Sequence, residues 1–145
     1  MILEAEAELD EFLRDFETGA FPASRWDHRA HLAMAAGYLT RMTPAAALPF
    51  LRERIKAYNE SQGGRNTETS GYHESLTVFW IGIVARHLEG LDPRLSRVEK
   101  TRSVVETFGA QRGLFRAYWS FDVVASVEAR AKWIPPDAAP WPAGV

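Results

Sequence analysis

Apolar residues recur at helical spacing along nearly the whole chain, and strand-like alternation never lasts beyond a few residues. Leu9, Phe12, Leu13 and Phe16 follow the i, i+3, i+4, i+7 rule, and Gly19 marks a stop. The stretch "FPASRWDHRAHLAMAAGYLTRM" predicts a second helix, with Ser24 as N-cap, Asp27 in the first turn and an end near Met42. In "TPAAALPFLRERIKAYNESQGG" the stripe is Leu48, Leu51, Ile55 and Tyr58, closed by Gly63 and Gly64. Pro49 has no N–H and its ring clashes with the carbonyl four residues earlier, so this helix either begins near Leu48 or kinks there.

A fourth helix is expected over about 72–88, ended by Gly90. Asp92-Pro93 reads as a cap followed by proline at the first helical position, opening a fifth helix to about Phe108. Two shorter helical pieces follow, near 111–118 and 121–133. The tail, 134–145, holds four of the eight prolines and is expected to run extended over the surface. The expectation is an all-α fold: one compact domain, 1–145, of five to seven helices with an N-terminal helix inside 1–20.

The chain has no cysteine, which excludes disulfides, zinc–thiolate sites, iron–sulfur clusters and cysteine nucleophiles. With an apolar content of 46% it can build a core without such staples. A formal charge of −2 offers no bulk attraction for nucleic acid or anionic lipid. The acidic start "MILEAEAELDEF" is unlike a secretory signal, and the apolar run at 78–85 is too short to span a bilayer. A cytoplasmic protein is expected, with no nucleic-acid and no membrane partner. Oligomeric state is left open.

Four histidines stand at His28, His31, His73 and His87. At 100° per residue, His28, His31, Leu32, Ala35 and Leu39 fall in one sector of the second helix. Spacing i, i+3 brings two Cβ atoms to about 5–6 Å, close enough for two imidazoles to meet one ion. On the fourth helix His73, Leu76, Thr77, Trp80, Val84, His87 and Leu88 share a face, with Glu74 on its flank. If the two helices run parallel, their N-terminal histidines come together.

The sharpest reading is a mononuclear metal site, with His28, His31 and His73 as ligands of a divalent transition metal such as Zn, Fe, Ni or Cu. Glu74 or Glu68 would be a fourth ligand or the base acting on bound water, with Glu74 and His73 as the catalytic pair and Thr77 orienting His73. The plainer alternative is a metal-free polar pocket, because core histidines are commonly neutral and satisfied by carbonyls or carboxylates. A helical interaction protein with structural histidines is a third. His87, at the far end of its helix, reads as packing or C-terminal capping.

The polar loop "GGRNTETSGY" enters the fourth helix. Its glycines permit close backbone approach, and Arg65, Asn66, Tyr72 and Thr77 are candidate substrate contacts for a small polar or anionic molecule. It matches no phosphate-binding or dinucleotide pattern, and no serine lies in a nucleophile-elbow context. The tryptophans read as packing, Trp26 lying opposite the histidine sector. Arg94, Arg97, Lys100 and Arg102 read as a solvated helix face.

The segments "RWDHRAHL", "YNESQGGRNTETSGYHESLT" and "YWSFDVVASVEARAKWIPPDAAPWP" resemble a family of small bacterial helical proteins with no established activity. The resemblance runs from about residue 21 to the end. It rests on W-x-H-x-x-H and N-T-x-T-x-G-Y-H-E segments, with Ser75 in place of an expected threonine. It implies that His28, His31, Asn66, Gly71, Tyr72, His73, Glu74 and Thr77 are the marked positions, and it implies no reaction.

Overall fold

Six α-helices and two 3-10 turns make up the regular structure among the described residues, 3–141 of a computed structural model; no strand occurs among them. The helices are α1 (Glu6–Thr18), α2 (His28–Leu39), α3 (Pro44–Ser61), α4 (Glu74–Glu89), α5 (Arg97–Phe108) and α6 (Val127–Ala131). The 3-10 turns are Ala23–Arg25 and Leu114–Ala117. The all-α expectation holds.

The element at the centre is α2, which packs on α1, α3, α4 and α5. Every residue from Leu32 to Tyr38 is buried. A helix that is apolar on all sides can satisfy that only by being surrounded, and its alanines let neighbours approach closely. Gly37 shows how closely: a Cβ there would stand 3.1 Å from Leu13 of α1. The predicted α1 stripe of Leu9, Phe12, Leu13 and Phe16 is buried. A second apolar cluster joins Phe79 and Ile83 of α4 to Phe115, Trp119, Val123 and Ala129. No helix among the described residues is long and apolar enough to cross a membrane.

Several element boundaries differ from the sequence reading. Asp27, not Ser24, caps α2, its carboxylate accepting the Ala30 N–H at 2.9 Å. Residues 23–25 form a 3-10 turn instead, because Trp26 leaves the helical path to pack on Phe16, 5.1 Å between ring centres, and Tyr58, 4.7 Å. Thr43 caps α3, which runs unbroken from Pro44 through Pro49. The N–H that Pro49 lacks would have served Ala45, in the first turn, so one carbonyl is lost while Leu51, Ile55 and Tyr58 remain buried.

Ser96 with Glu99 forms the capping box of α5. Asp92 is instead occupied by the Arg94 N–H at 2.9 Å and its guanidinium at 2.8 Å. Over 111–133 the expected helices shrink to the 3-10 turn and α6, since Asp122 accepts the Val124 and Ala125 N–H groups and Ser126 restarts the helix. The tail turns back: Ala138 N–H donates to the Tyr118 carbonyl at 2.9 Å and Trp141 packs 5.3 Å from Phe79. Residues 142–145 of the expected extended tail lie outside the described residues. Arg97, expected on a solvated face, ties α5 to α1 and α2 through Asp10 at 2.9 Å, Thr40 at 3.1 Å and the Gly37 carbonyl at 3.2 Å.

Candidate functional site

A cleft of about 1300 Å³ opens between the N-terminal halves of α2 and α4, the C-terminal half of α3, and the segments around 64–73 and 112–116. It is there because α2 and α4 run side by side in the same direction. His28 meets Trp80 edge-on at 4.9 Å, Leu32 and Ala36 share an apolar cluster with Val84, and Leu39 lies with Leu88 at the far end. The register places His28 level with Trp80, two turns beyond His73. At 1.5 Å per residue that is roughly 10 Å along the axis.

His28, His31 and His73 all line the cleft, yet their hydrogen bonds set them apart. His28 Nε2 stands 2.9 Å from the Phe108 carbonyl. A carbonyl only accepts, so Nε2 carries the proton and Nδ1 presents a lone pair. His31 is the reverse. Its Nδ1–H donates to the Asp27 carbonyl at 2.8 Å, leaving Nε2 as the acceptor, and Trp26 lies against the ring at 4.2 Å.

His73 has nothing spare. Its Nε2–H donates to the Val123 carbonyl at 2.8 Å and its Nδ1 accepts the Leu76 N–H at 3.2 Å, so the ring is the N-cap of α4. Burial pushes all three imidazoles below their ordinary pKa, and they are neutral at physiological pH. The ring of His31 is reached by solvent on the cleft side while protein crowds it elsewhere. Its proximity to His28 and to Arg112 lowers it further.

Glu74 faces α3, not the cleft. Its carboxylate accepts from Arg52 Nε at 2.9 Å, Arg52 Nη2 at 2.8 Å and the Tyr72 hydroxyl at 2.7 Å. Burial drives this carboxyl upward, but Arg52 and Tyr72 outweigh burial and hold it below the ordinary range. Burial, with Glu74 alongside, raises the Tyr72 phenol. Among the described residues no group of three or more His, Cys, Asp or Glu comes together to hold a metal.

Asn66 stitches its loop to α3: Oδ1 accepts from Asn59 Nδ2 and the Tyr72 N–H, both at 3.0 Å, and Nδ2 donates to the Lys56 carbonyl. Gly71, at φ 79°, completes that stitch, since a Cβ there would press into the Arg65 carbonyl and stand 2.7 Å from Asn66 Oδ1. Tyr72 and Thr77 line the cleft, the Thr77 hydroxyl donating to the His73 carbonyl at 2.8 Å. Glu68 is exposed and does not line it. His87 contacts Ser103 and Phe108, a packing role.

Arg65 lines the cleft without an ion pair among the described residues, and so do Arg112 and Arg116, which the sequence reading passed over. Their spacing, i and i+4 in "QRGLFRAYW", was a legible signal of a shared face. Among the described residues Asp27 is the one carboxylate residue on the wall, and its Oδ1 is used by the cap. Trp26, Tyr58, Trp80 and Phe115 supply flat apolar surface. Trp26 is thus not opposite the histidines, because it stands outside α2 and the helical projection does not apply to it.

No protein-family model, curated protein or solved structure matches this chain.

Proposed function

We propose that this protein binds a small anionic molecule with a flat apolar body in the cleft between α2, α3 and α4. The observation that carries this reading is the charge imbalance of the wall. Among the described residues, three arginines without ion-pair partners face a space bounded by aromatic rings and neutral imidazoles, with one carboxylate residue on its wall. Guanidinium groups take carboxylate or phosphate through paired N–H donors, and they hold their charge at any physiological pH. Indole and phenyl faces then bury the rest of the ligand.

Calorimetric titration with benzoate and phenyl phosphate tests this. Binding of either that weakens tenfold or more in Arg112→Ala or Arg116→Ala supports it; no binding of either anion, or binding unchanged in both variants, overturns it. A catalytic role for Glu74 is not favoured, since it does not line the cleft and its oxygens are engaged by Arg52 and Tyr72.

A second reading, a transition-metal centre, is supported by the free Nδ1 of His28 and Nε2 of His31 one turn apart. There the remaining ligands would come from the substrate or solvent. His73 would be excluded unless its Nδ1 gave up the Leu76 N–H. Elemental analysis of untagged protein decides it: stoichiometric Zn, Fe, Ni or Cu lost in His28→Ala/His31→Ala supports a metal, and none at all sinks it.

A further inference from the structure

We infer that the molecule taken by this cleft carries a hydroxyl or N–H donor as well as its anionic group, and that His28 and His31 select for that donor. The inference rests on the anion-binding reading just given and adds the substrate feature that reading leaves open. Each imidazole has its single proton tied to a main-chain carbonyl, His28 to Phe108 and His31 to Asp27. Turning either proton toward a ligand would break that bond, part-buried at Phe108 and exposed at Asp27. With these bonds made, each ring offers one lone pair. Both rings line the cleft, each with one nitrogen outside the hydrogen bond it makes, and His31 is exposed.

A lone pair repels carboxylate or phosphate oxygens and leaves a donor-free ligand with two unmatched acceptors. A site built around a hydrogen bond rejects the analogue that lacks it more strongly than an apolar pocket rejects a change of size. The same place holds a positive charge: Arg112 lies near enough to depress both imidazoles. Arg112 for the anion and the two acceptors define a ligand with both signs of hydrogen bonding. Trp26 against His31 and Trp80 against His28 flank the acceptors with flat surface, which suits an aromatic or otherwise planar hydroxy acid or its phosphate counterpart.

The test compares matched pairs: 3-hydroxybenzoate with 3-methoxybenzoate, and 4-hydroxybenzoate with 4-methoxybenzoate, with benzoate as the reference. A methoxy group keeps the oxygen and removes the donor, and the open cleft has room for the added methyl. The expected result is that at least one hydroxy acid binds about tenfold tighter than its methoxy partner, on the scale of one hydrogen bond. That preference should fall to near unity in His28→Phe and His31→Phe combined, while benzoate binding persists. Equal affinity within both pairs for the wild-type protein overturns the inference whether or not the variants fold, and leaves the anion reading standing. Failure of all five acids and of phenyl phosphate to bind removes both.

Discussion

Replacing Arg52 by Met should destabilise the protein by leaving a buried carboxylate with one partner. Glu74 is 8% exposed and receives three hydrogen bonds, two of them from Arg52 at 2.9 and 2.8 Å. Breaking a buried ion pair from one side costs on the order of 3–5 kcal/mol. A third of the Arg52 side chain is open to water, at 33%, and solvent replaces part of what is lost there. The Tyr72 hydroxyl, at 2.7 Å, also stays. The expected loss is about 2 kcal/mol, or about 4–8 °C in Tm for a chain of this size.

The pH dependence carries the proof of cause. In the wild-type protein Glu74 is held below its ordinary value of 4.5, so its contribution is present at neutral pH and fades as pH falls through and below that value. Without Arg52, burial prevails and pushes the carboxyl upward, so the variant relieves its buried charge by protonating earlier. The gap between the two proteins should therefore narrow from neutral pH toward 4.5. Arg52→Met/Glu74→Gln should regain about half of the loss at neutral pH, because no charge is stranded. Urea denaturation followed by circular dichroism measures all three. A deficit under about 0.5 kcal/mol, or one that is the same at both pH values, would refute the electrostatic account.

Three further outcomes follow from the same geometry. Gly71→Ala should cost about 2–3 kcal/mol, combining a positive-φ penalty with the clash against the Arg65 carbonyl. Gly63→Ala, at φ 86° in open space, should cost only about 1 kcal/mol, and equal losses in denaturant would contradict that contrast. His73→Ala should lose about 2 kcal/mol, the α4 cap plus an orphaned Val123 carbonyl, while His73→Asn should recover the cap share of about 1 kcal/mol; a neutral His73→Ala would show that neither bond matters. Finally, His28, His31, His73 and His87 are all depressed by burial, so the unfolded chain binds more protons below its value of 6.5. Denaturation midpoints should fall as pH drops from about 6.5 toward 5.5, less steeply in His28→Gln/His31→Gln, and a flat profile over that interval would contradict the neutral assignments.

Helix identity was readable because burial imposes a 3.6-residue period: Leu9, Phe12, Leu13 and Phe16 needed only one apolar neighbour to become a core stripe. The same logic placed His28 and His31 on one face of α2 and His73 on one face of α4, and left the parallel run of the two helices as a possibility that the fold realises. Helix starts were less legible, since Ser24 and Asp27, or Asp92 and Ser96, are all competent caps. Packing chose between them, through Trp26 in its aromatic cluster and Arg94 on Asp92.

Sequence alone determined the all-α class, the stripes and the set of side chains available to a site. Tertiary structure decided which of their atoms are free. Glu74 and Asn66 are as polar as Arg65 in the sequence, but Arg52 and the loop backbone consume them. His73 lost both nitrogens to Val123 and Leu76, while His28 and His31 each kept one. Arg112 and Arg116 line the cleft from a segment in which the Leu114–Ala117 3-10 turn stands where a longer helix was expected. Periodicity reports which face a residue occupies; the hydrogen bonds made in the fold, from four residues away for His31 and Asp27 to 80 for His28 and Phe108, determine what that residue still has to offer.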